Sequence, residues 1–293
     1  RSRARRHAMD GSIRVFVAES LMFPSGLAIA IFLARYLPKA DYGLFTLVTM
    51  LVTWIQWSVS SMYSRATIMA VSEADDWKPV AATVVRLHIV TGVLVALGLC
   101  AMAKPLAQWW NAPSMFKLLM LFSIDIPLFA VGQAYRNILV GIGEVRDRAW
   151  AAAGRWISRP IIVVGLVLLG FSVPGAIVGC ICASIVEITI CVWKLPARLR
   201  GLKGAPVMSL FALIGPLFIA AIASRLFDKV DLFVLKRLGA TLAEAGVYGA
   251  AQNLSLIPNL FGLAISPLLL STCIRAIKNN DRVLAGRLTR DAL

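Results

Sequence analysis

Charged residues are scarce in this sequence. They make up 15% of its 293 residues, whereas an average soluble chain has about 25%. Hydrophobic residues make up 59%, and the mean hydropathy is +0.79. A soluble domain has no interior large enough to bury that apolar fraction, so the composition excludes an ordinary soluble protein. The sequence predicts a protein that crosses a membrane several times.

Histidine and cysteine are also few. The chain has two histidines and five cysteines, and the cysteines are odd in number and match no metal-binding or disulfide spacing. They fall in apolar stretches or at their ends, where cysteine behaves as a small hydrophobic residue. No phosphate-binding loop, nucleophile motif or pair of catalytic carboxylates is recognisable. We therefore expect no metal, no cofactor and no enzymatic activity.

Acidic residues are half as frequent as basic ones, with 15 Asp and Glu against 30 Lys and Arg. In a soluble protein this excess would suggest a nucleic-acid partner. In a membrane protein it marks cytoplasmic connections, which collect Lys and Arg. Alternate connections hold 22 of the 30 basic residues, in stretches at residues 1–14, 65–86, 136–159, 194–203 and 275–290. This pattern predicts a cytoplasmic N-terminus and no nucleic-acid partner.

Eight apolar segments are long enough to cross a bilayer, which takes about 20 residues as a helix. They centre on residues 14–34, 44–64, 84–103, 118–140, 150–170, 175–193, 207–236 and 243–272. The fifth and sixth are separated only by GFSVPG at 170–175, a sequence typical of turns. Joining them would break the alternation of the basic connections. The expected fold is therefore all-α, a polytopic bundle of eight transmembrane helices.

Two stretches about 200 residues apart resemble each other. ADYGLF at 40–45 aligns with AEAGVY at 243–248, and a basic helix end precedes each copy. Both copies begin from the predicted cytoplasmic side, as parallel repeats in transporters do. A six-helix repeat unit then predicts three parts for the chain: a complete N-terminal lobe at 1–203, the first two helices of a second lobe at 204–272, and a basic amphipathic cytoplasmic segment at 273–293. On this interpretation the sequence is truncated at its C-terminus.

These stretches also carry a family resemblance. LARYLPKADYGLF at 33–45 resembles the junction between helices one and two of bacterial Wzx-like polysaccharide flippases, and the region 224–258 resembles their helix-seven-to-eight region. Those proteins are a branch of the multidrug/oligosaccharidyl-lipid/polysaccharide exporter superfamily. The resemblance implies a MATE-like parent of twelve to fourteen helices, with two six-helix bundles around a central cavity.

The same resemblance implies a function. Such a protein translocates, by alternating access through a cationic central cavity, an oligosaccharide linked to polyprenyl pyrophosphate. It acts in the bacterial inner membrane during biosynthesis of surface polysaccharides such as lipopolysaccharide. Its expected partners are this lipid-linked substrate, membrane lipid, and a polysaccharide polymerase with its export machinery. The main alternative is a cation-coupled multidrug exporter of the same superfamily. A membrane glycosyltransferase or polymerase is less favoured, because the predicted outer loops are short.

Ionisable residues inside membrane segments are the best site candidates, since each costs free energy unless it is paired or hydrated. Asp125, Gln133 and Arg136 share one face of the fourth segment at 100° per residue, which suggests a cavity wall or a contact between helices. Glu19 in the first segment is a candidate coupling-ion site, or else a paired or snorkelling carboxylate. Glu187 receives no role.

The seventh segment contains a charged cluster with apolar sequence on both sides. Arg225 and Asp228 are three residues apart and can pair, while an arginine can also bind a pyrophosphate through two parallel hydrogen bonds. A self-neutralising structural cluster is the alternative interpretation. The full set of predicted substrate-binding residues is Arg225, Arg136, Asp228, Asp231, Asp125, Gln133, Gln252 and Asn253.

Overall fold

A computed structural model describes residues 17–195, 234–235, 237–239 and 241–252 of this chain. All regular secondary structure in these residues is helical, which confirms the predicted all-α class. Five helical stretches within them are long and apolar enough to cross a membrane, so the chain is a multi-pass membrane protein. Nearly all of the predicted seventh segment, most of the eighth and all of 273–293 lie outside the described residues.

Seven helices follow one another in the continuous part of the structure. They are α1 (Met22–Tyr36), α2 (Lys39–Glu73), α3 (Trp77–Trp109), α4 (Met115–Ser123), α5 (Asp125–Gly141), α6 (Val145–Leu166) and α7 (Ser172–Lys194). A further helical segment covers residues 242–252. The chain has two compact units, Arg1–Gly249 and Ala250–Leu293, and only residues 250–252 of the second unit are described.

The division between the fifth and sixth predicted segments is present. A short π-helical turn, Val167–Phe171, joins α6 to α7, and two residues there have positive φ: Gly170 (+91°) and Ser172 (+49°). The helical stretch Val145–Lys194 is 50 residues long. It reverses direction at this turn, because α6 and α7 pack along each other. The turn therefore converts one long apolar stretch into two antiparallel membrane helices.

Helices α4 and α5 form one membrane span, Met115–Gly141, with a break in its middle. Pro127 lies in the first turn of α5, and its ring nitrogen cannot donate the hydrogen bond that the carbonyl of Ser123 would accept. Gly92 of α3 packs on this proline, and a Cβ atom added to Gly92 would lie 2.7 Å from the Pro127 Cα. The break places Asp125 at the start of α5, well inside the membrane span.

Helix α5 is central to the described bundle. It packs against α2, α3 and α7, and its apolar residues are among the most deeply buried in the structure. Phe129, Ile138 and Leu139 each have 2% or less of their surface exposed. Helix α1 is more peripheral, because its main packing partner is α6. Polar residues on α5 are therefore surrounded by other helices and lie away from lipid.

One expectation from the charge pattern is wrong. The stretch 136–159 is not a cytoplasmic connection, because only residues 142–144 separate α5 from α6. Arg136 lies in the last part of α5, while Arg155 and Arg159 lie 10 and 14 residues beyond the first residue of α6. Since a helix rises 1.5 Å per residue, Arg159 is about 21 Å from that end. These arginines lie within membrane helices, although the charge pattern alone assigns them to a connection.

The two similar stretches are in direct contact. Residues 242–249 cross the beginning of α2, with Gly43 facing Gly246. A Cβ atom added to Gly246 would lie 2.9 Å from the carbonyl oxygen of Lys39, and one added to Gly43 would overlap the carbonyl of Leu242. Lys39 and Leu242 are themselves equivalent in the alignment of the two copies. The contacts thus have the pattern expected around a twofold axis between Gly43 and Gly246.

Candidate functional site

A cluster of charged and polar side chains occupies the interior of the described bundle. We call it the intramembrane cluster. Its members are Glu19, Gln56, Asp125, Arg136, Arg148, Arg155, Arg159, Cys180, Ser184 and Glu187. They come from the first span, α2, α5, α6 and α7, so the cluster ties five membrane spans together. Within the described residues, no group of three or more His, Cys, Asp or Glu side chains is arranged to hold a metal ion.

Glu187 on α7 is the centre of the cluster and has no exposed surface. Its Oε2 atom accepts a hydrogen bond of 2.8 Å from Nη1 of Arg155 on α6. Its Oε1 atom lies 2.9 Å from Nε of Arg136 on α5, an ion-pair distance without hydrogen-bond alignment. Gly132 makes room for the carboxylate, because an added Cβ atom there would lie 3.0 Å from Oε2. One carboxylate therefore joins three helices.

Glu19 connects the first membrane span to the same network. Its Oε1 atom lies 3.3 Å from Nη1 of Arg136 and 3.2 Å from Nη2 of Arg148. Glu19 and Arg148 are about one-third exposed, whereas Arg136 is buried. Arg136 thus has one partly exposed carboxylate partner, Glu19, and one fully buried partner, Glu187. Two cations thus hold the candidate coupling-ion residue, which favours its paired state over the binding of a small cation.

Asp125 is bound by neutral donors. The hydroxyl of Ser184 donates to its Oδ1 atom, and the amide Nε2 of Gln56 donates to Oδ2 over 2.8 Å. Ser184 in turn accepts a 3.0 Å hydrogen bond from Nη1 of Arg155. The aspartate is 1% exposed, so it lies inside the bundle and not on an open cavity wall. Its charge stabilises the neighbouring cations through space and through this serine.

Arg155 is enclosed on several sides. Its guanidinium carbon lies 4.7 Å from the centre of the Phe129 ring and 5.5 Å from that of Trp156. Aromatic faces attract cations, and more strongly where water is excluded. Together with Glu187 and Ser184, these rings surround the buried cation, and its Nε atom is left without an acceptor among the described residues. Arg155 is therefore suited to joining α6 to α5 and α7, and it presents no free surface to a ligand.

Arg159 lies one helical turn further along the same face of α6, and its surroundings differ. Its Nε atom donates to the Sγ atom of Cys180 over 3.4 Å, and its side chain is partly exposed. A thiol is a weak, uncharged hydrogen-bond acceptor. Arg159 is the only cluster arginine with no carboxylate within ion-pair distance in the part of the chain that is described. The cluster has four arginines and three carboxylates, so one positive charge is in excess.

The structure brings several of the predicted site residues together. Asp125 and Arg136 belong to the cluster, and Gln133 is buried between them on α5. Gln252 lies in the helical segment 242–252 and is partly buried. Arg225, Asp228, Asp231 and Asn253 lie outside the described residues. The proposed substrate-binding role of the whole set stays a prediction.

Sequence reasoning missed the α6 and α7 half of the cluster. Arg155 and Arg159 were assigned to a connection, and Ser184 was not considered. One available signal was the spacing, because two arginines four residues apart on α6 match Cys180 and Ser184, also four apart on α7. The antiparallel arrangement of two neighbouring spans places such pairs at the same depth.

Comparison with known proteins agrees with this architecture. Residues 32–286 match the family described as "Polysaccharide biosynthesis protein". The succinoglycan biosynthesis transport protein ExoT of Rhizobium meliloti (strain 1021) is 26% identical over 234 residues, which cover 78% of this chain and 45% of that protein. The chain therefore spans about half the length of the curated relative it matches.

Solved structures show the same fold. An inward-facing multidrug resistance MATE family transporter of the MOP superfamily superimposes with a TM-score of 0.72 at 18% identity, over 94% of this chain and 66% of that one. A point mutant of the Vibrio cholerae MATE transporter VcmN gives a TM-score of 0.69 at 14% identity, over 99% of this chain and 69% of that one. The matched family agrees with the polysaccharide-biosynthesis part of the resemblance drawn from the sequence, and the solved structures confirm its MATE-like fold.

Proposed function

Since the chain belongs to the polysaccharide biosynthesis protein family, a Wzx-like branch of the MOP superfamily, we propose that it flips an oligosaccharide linked to polyprenyl pyrophosphate. The movement takes place across the bacterial inner membrane during biosynthesis of a surface polysaccharide, with the N-terminus in the cytoplasm. A polymerase that extends the delivered oligosaccharide is the partner that such a reaction requires.

The excess positive charge of the intramembrane cluster is the observation that carries this proposal. A pyrophosphate must pass a region of low dielectric constant, where an unpaired anion is strongly disfavoured. A cationic interior offsets this cost. An exporter of organic cations needs the opposite balance, with carboxylates free to bind the cargo. In the described part of the chain, Glu19, Asp125 and Glu187 already accept hydrogen bonds or ion pairs from other side chains. The charge balance favours an anionic substrate over the multidrug alternative.

We further propose that transport uses two lobes, of which residues 1–203 form the first and 204–272 begin the second, in a longer parent protein. The symmetric contact of Gly43 with Gly246 supports this arrangement, because it lies where the first helix junction of each lobe would meet the other. Arg136 is held by Glu19 and Glu187, so we assign it to the interior of the first lobe.

Arg225 in the second lobe is the proposed pyrophosphate ligand. Asp228 would hold the guanidinium when the cavity is empty and release it when substrate enters. We place Asp231, Gln252 and Asn253 near the same path, where carboxylates and amides can bind sugar hydroxyl groups.

Glycan export in cells tests both the function and the assignment of Arg225. In a strain that lacks the gene, the longer parent protein should restore surface polysaccharide. Arg225→Ala should abolish export, and Arg225→Lys should retain part of it, because lysine keeps the charge without the bidentate fork. Protein amounts in the membrane must be matched by immunoblotting.

Two outcomes contradict different parts of the proposal. If the unaltered protein does not restore surface polysaccharide and no lipid-linked oligosaccharide accumulates without it, the proposed function is wrong. If Arg225→Ala reaches normal levels and exports normally, only the assignment of Arg225 is wrong.

A further inference from the structure

The excess positive charge of the intramembrane cluster is located at Arg159. Each of the three carboxylates in the cluster accepts hydrogen bonds or ion pairs from other side chains. Within residues 17–195 and the described parts of 234–252, none of these carboxylates is within 4.0 Å of the Arg159 guanidinium. Asp125 acts on it only through space. Among the described residues, Arg159 therefore lacks the carboxylate contact that the other three cluster arginines have.

The hydrogen bond from Nε of Arg159 to Cys180 leaves the Nη1 and Nη2 edge of the guanidinium without an acceptor among the described residues. Cys180 accepts the hydrogen bond from Nε, which fixes the side chain against α7. Among the described residues, none accepts a hydrogen bond from the two terminal Nη groups, and the side chain is partly exposed. These two groups form the fork that binds two oxygens of a phosphate through parallel hydrogen bonds.

Arg159 lies far from both ends of α6, where an unpaired charge is unfavourable. About 21 Å of helix separate it from the start of α6, and about 10 Å separate it from the end, Leu166. It therefore lies about two-thirds of the way along a helix that is long enough to cross a hydrocarbon layer about 30 Å thick. A charged side chain at that depth costs several kcal/mol unless it meets water or a counter-ion. Arg159 is thus a functional candidate because of its position in the membrane and because no carboxylate among the described residues pairs with it.

We propose that Arg159 binds a phosphate group of the lipid-linked substrate inside the membrane, through its Nη1 and Nη2 edge. This inference rests on the proposed function and adds an anion site in the first lobe. Arg155, one turn away, is buried and ion-paired with Glu187, so it is not available to a substrate. The phosphate of an ordinary phospholipid has the same chemistry, so the experiment must distinguish the two sources.

Binding of a fluorescent polyprenyl diphosphate to the purified protein in phosphatidylcholine nanodiscs tests this assignment. Arg159→Gln should weaken binding by roughly tenfold or more, since a hydrogen bond to a charged group contributes about 1.5–3 kcal/mol. Arg159→Lys should lose less. Arg35→Gln removes the same charge from an exposed helix end and should leave the affinity unchanged. Uncharged polyprenol of equal length should bind all four proteins alike.

Each outcome of this experiment is decisive. An Arg159→Gln protein that binds the diphosphate as the unaltered protein does contradicts the inference and leaves the proposed function intact. If the unaltered protein binds no polyprenyl diphosphate at all, both fail. If Arg159→Gln does not accumulate, Arg159→Lys decides, and an unchanged affinity contradicts the inference.

A second arm separates substrate from bulk lipid. Thermal midpoints of the unaltered protein and of Arg159→Gln are compared in phosphatidylcholine and in phosphatidylglycerol nanodiscs. A substrate site predicts that the substitution changes both midpoints equally. If the substitution removes a stabilisation specific to phosphatidylglycerol while diphosphate affinity is unchanged, Arg159 binds membrane lipid and the substrate assignment is wrong.

Discussion

Glu187→Ala is expected to destabilise the protein by about 3–5 kcal/mol, because removal of one partner leaves buried charges unpaired. Glu187 has no exposed surface and lies 2.8 and 2.9 Å from guanidinium nitrogens of Arg155 and Arg136. Arg136 keeps Glu19, whereas Arg155 loses its only carboxylate among the described residues. The thermal midpoint in detergent should fall by roughly 10 °C.

Two further variants make this test specific. Glu144 is exposed, precedes α6 and makes no capping hydrogen bond through its side chain, so Glu144→Ala should leave the midpoint nearly unchanged. Replacing Glu187 and Arg155 together by methionine should recover part of the loss, since an apolar pair leaves less charge unpaired. A midpoint for Glu187→Ala equal to that of the unaltered protein would show that the cluster does not stabilise the bundle.

Gly43→Ala is expected to separate the two similar stretches of the chain. The new methyl group would overlap the carbonyl of Leu242, and neither backbone can move aside without opening the crossing. Such overpacking costs about 1–3 kcal/mol, which lowers the equilibrium constant for the close contact by at least roughly fivefold.

A disulfide reports this contact directly. A Cβ atom at residue 249 would lie 3.3 Å from the Cβ of Thr46, close to the separation found in disulfides. Oxidation of a Thr46→Cys/Gly249→Cys protein should therefore form a cross-link, measured by mass spectrometry after proteolysis. Adding Gly43→Ala should lower its yield. Adding Gly26→Ala should not, because an added Cβ atom there meets nothing within 4 Å. Equal yields in both backgrounds would contradict the crossing.

Within the described residues 17–195, the sequence predicted the membrane spans because their length and hydropathy follow from the bilayer itself. Gly170 and its neighbours also marked the turn between α6 and α7, since few residues adopt positive φ. Asp125 was recognised as an intramembrane residue for the same reason, because apolar sequence surrounds it, whereas Arg136 was also counted among the loop charges. These features depend on the local sequence and on the thickness of the hydrocarbon layer of the membrane.

The charge network needed tertiary information. The sequence around Arg155 and Arg159 is rich in small residues, so its hydropathy does not distinguish a helix interior from a basic connection. Their depth follows only from the position at which α6 begins. The partner of Arg155 is Glu187, which is 32 residues away on an antiparallel helix. The sequence alone gives no role for Glu187. Its role follows only from its neighbours Arg155 and Arg136 on other helices.

Movement of a lipid-linked oligosaccharide by the reconstituted protein tests the central claim most directly. A fluorescent oligosaccharide on polyprenyl diphosphate is placed in liposomes, and a quencher that cannot cross the membrane reports how much lies in the outer leaflet. We predict transfer between leaflets in liposomes that contain the protein and none in liposomes without it. Transfer should be slower with the Arg159→Gln protein than with the Arg35→Gln protein. Transfer of an organic cation dye, with none of the diphosphate-linked oligosaccharide, would contradict the account and identify a multidrug exporter.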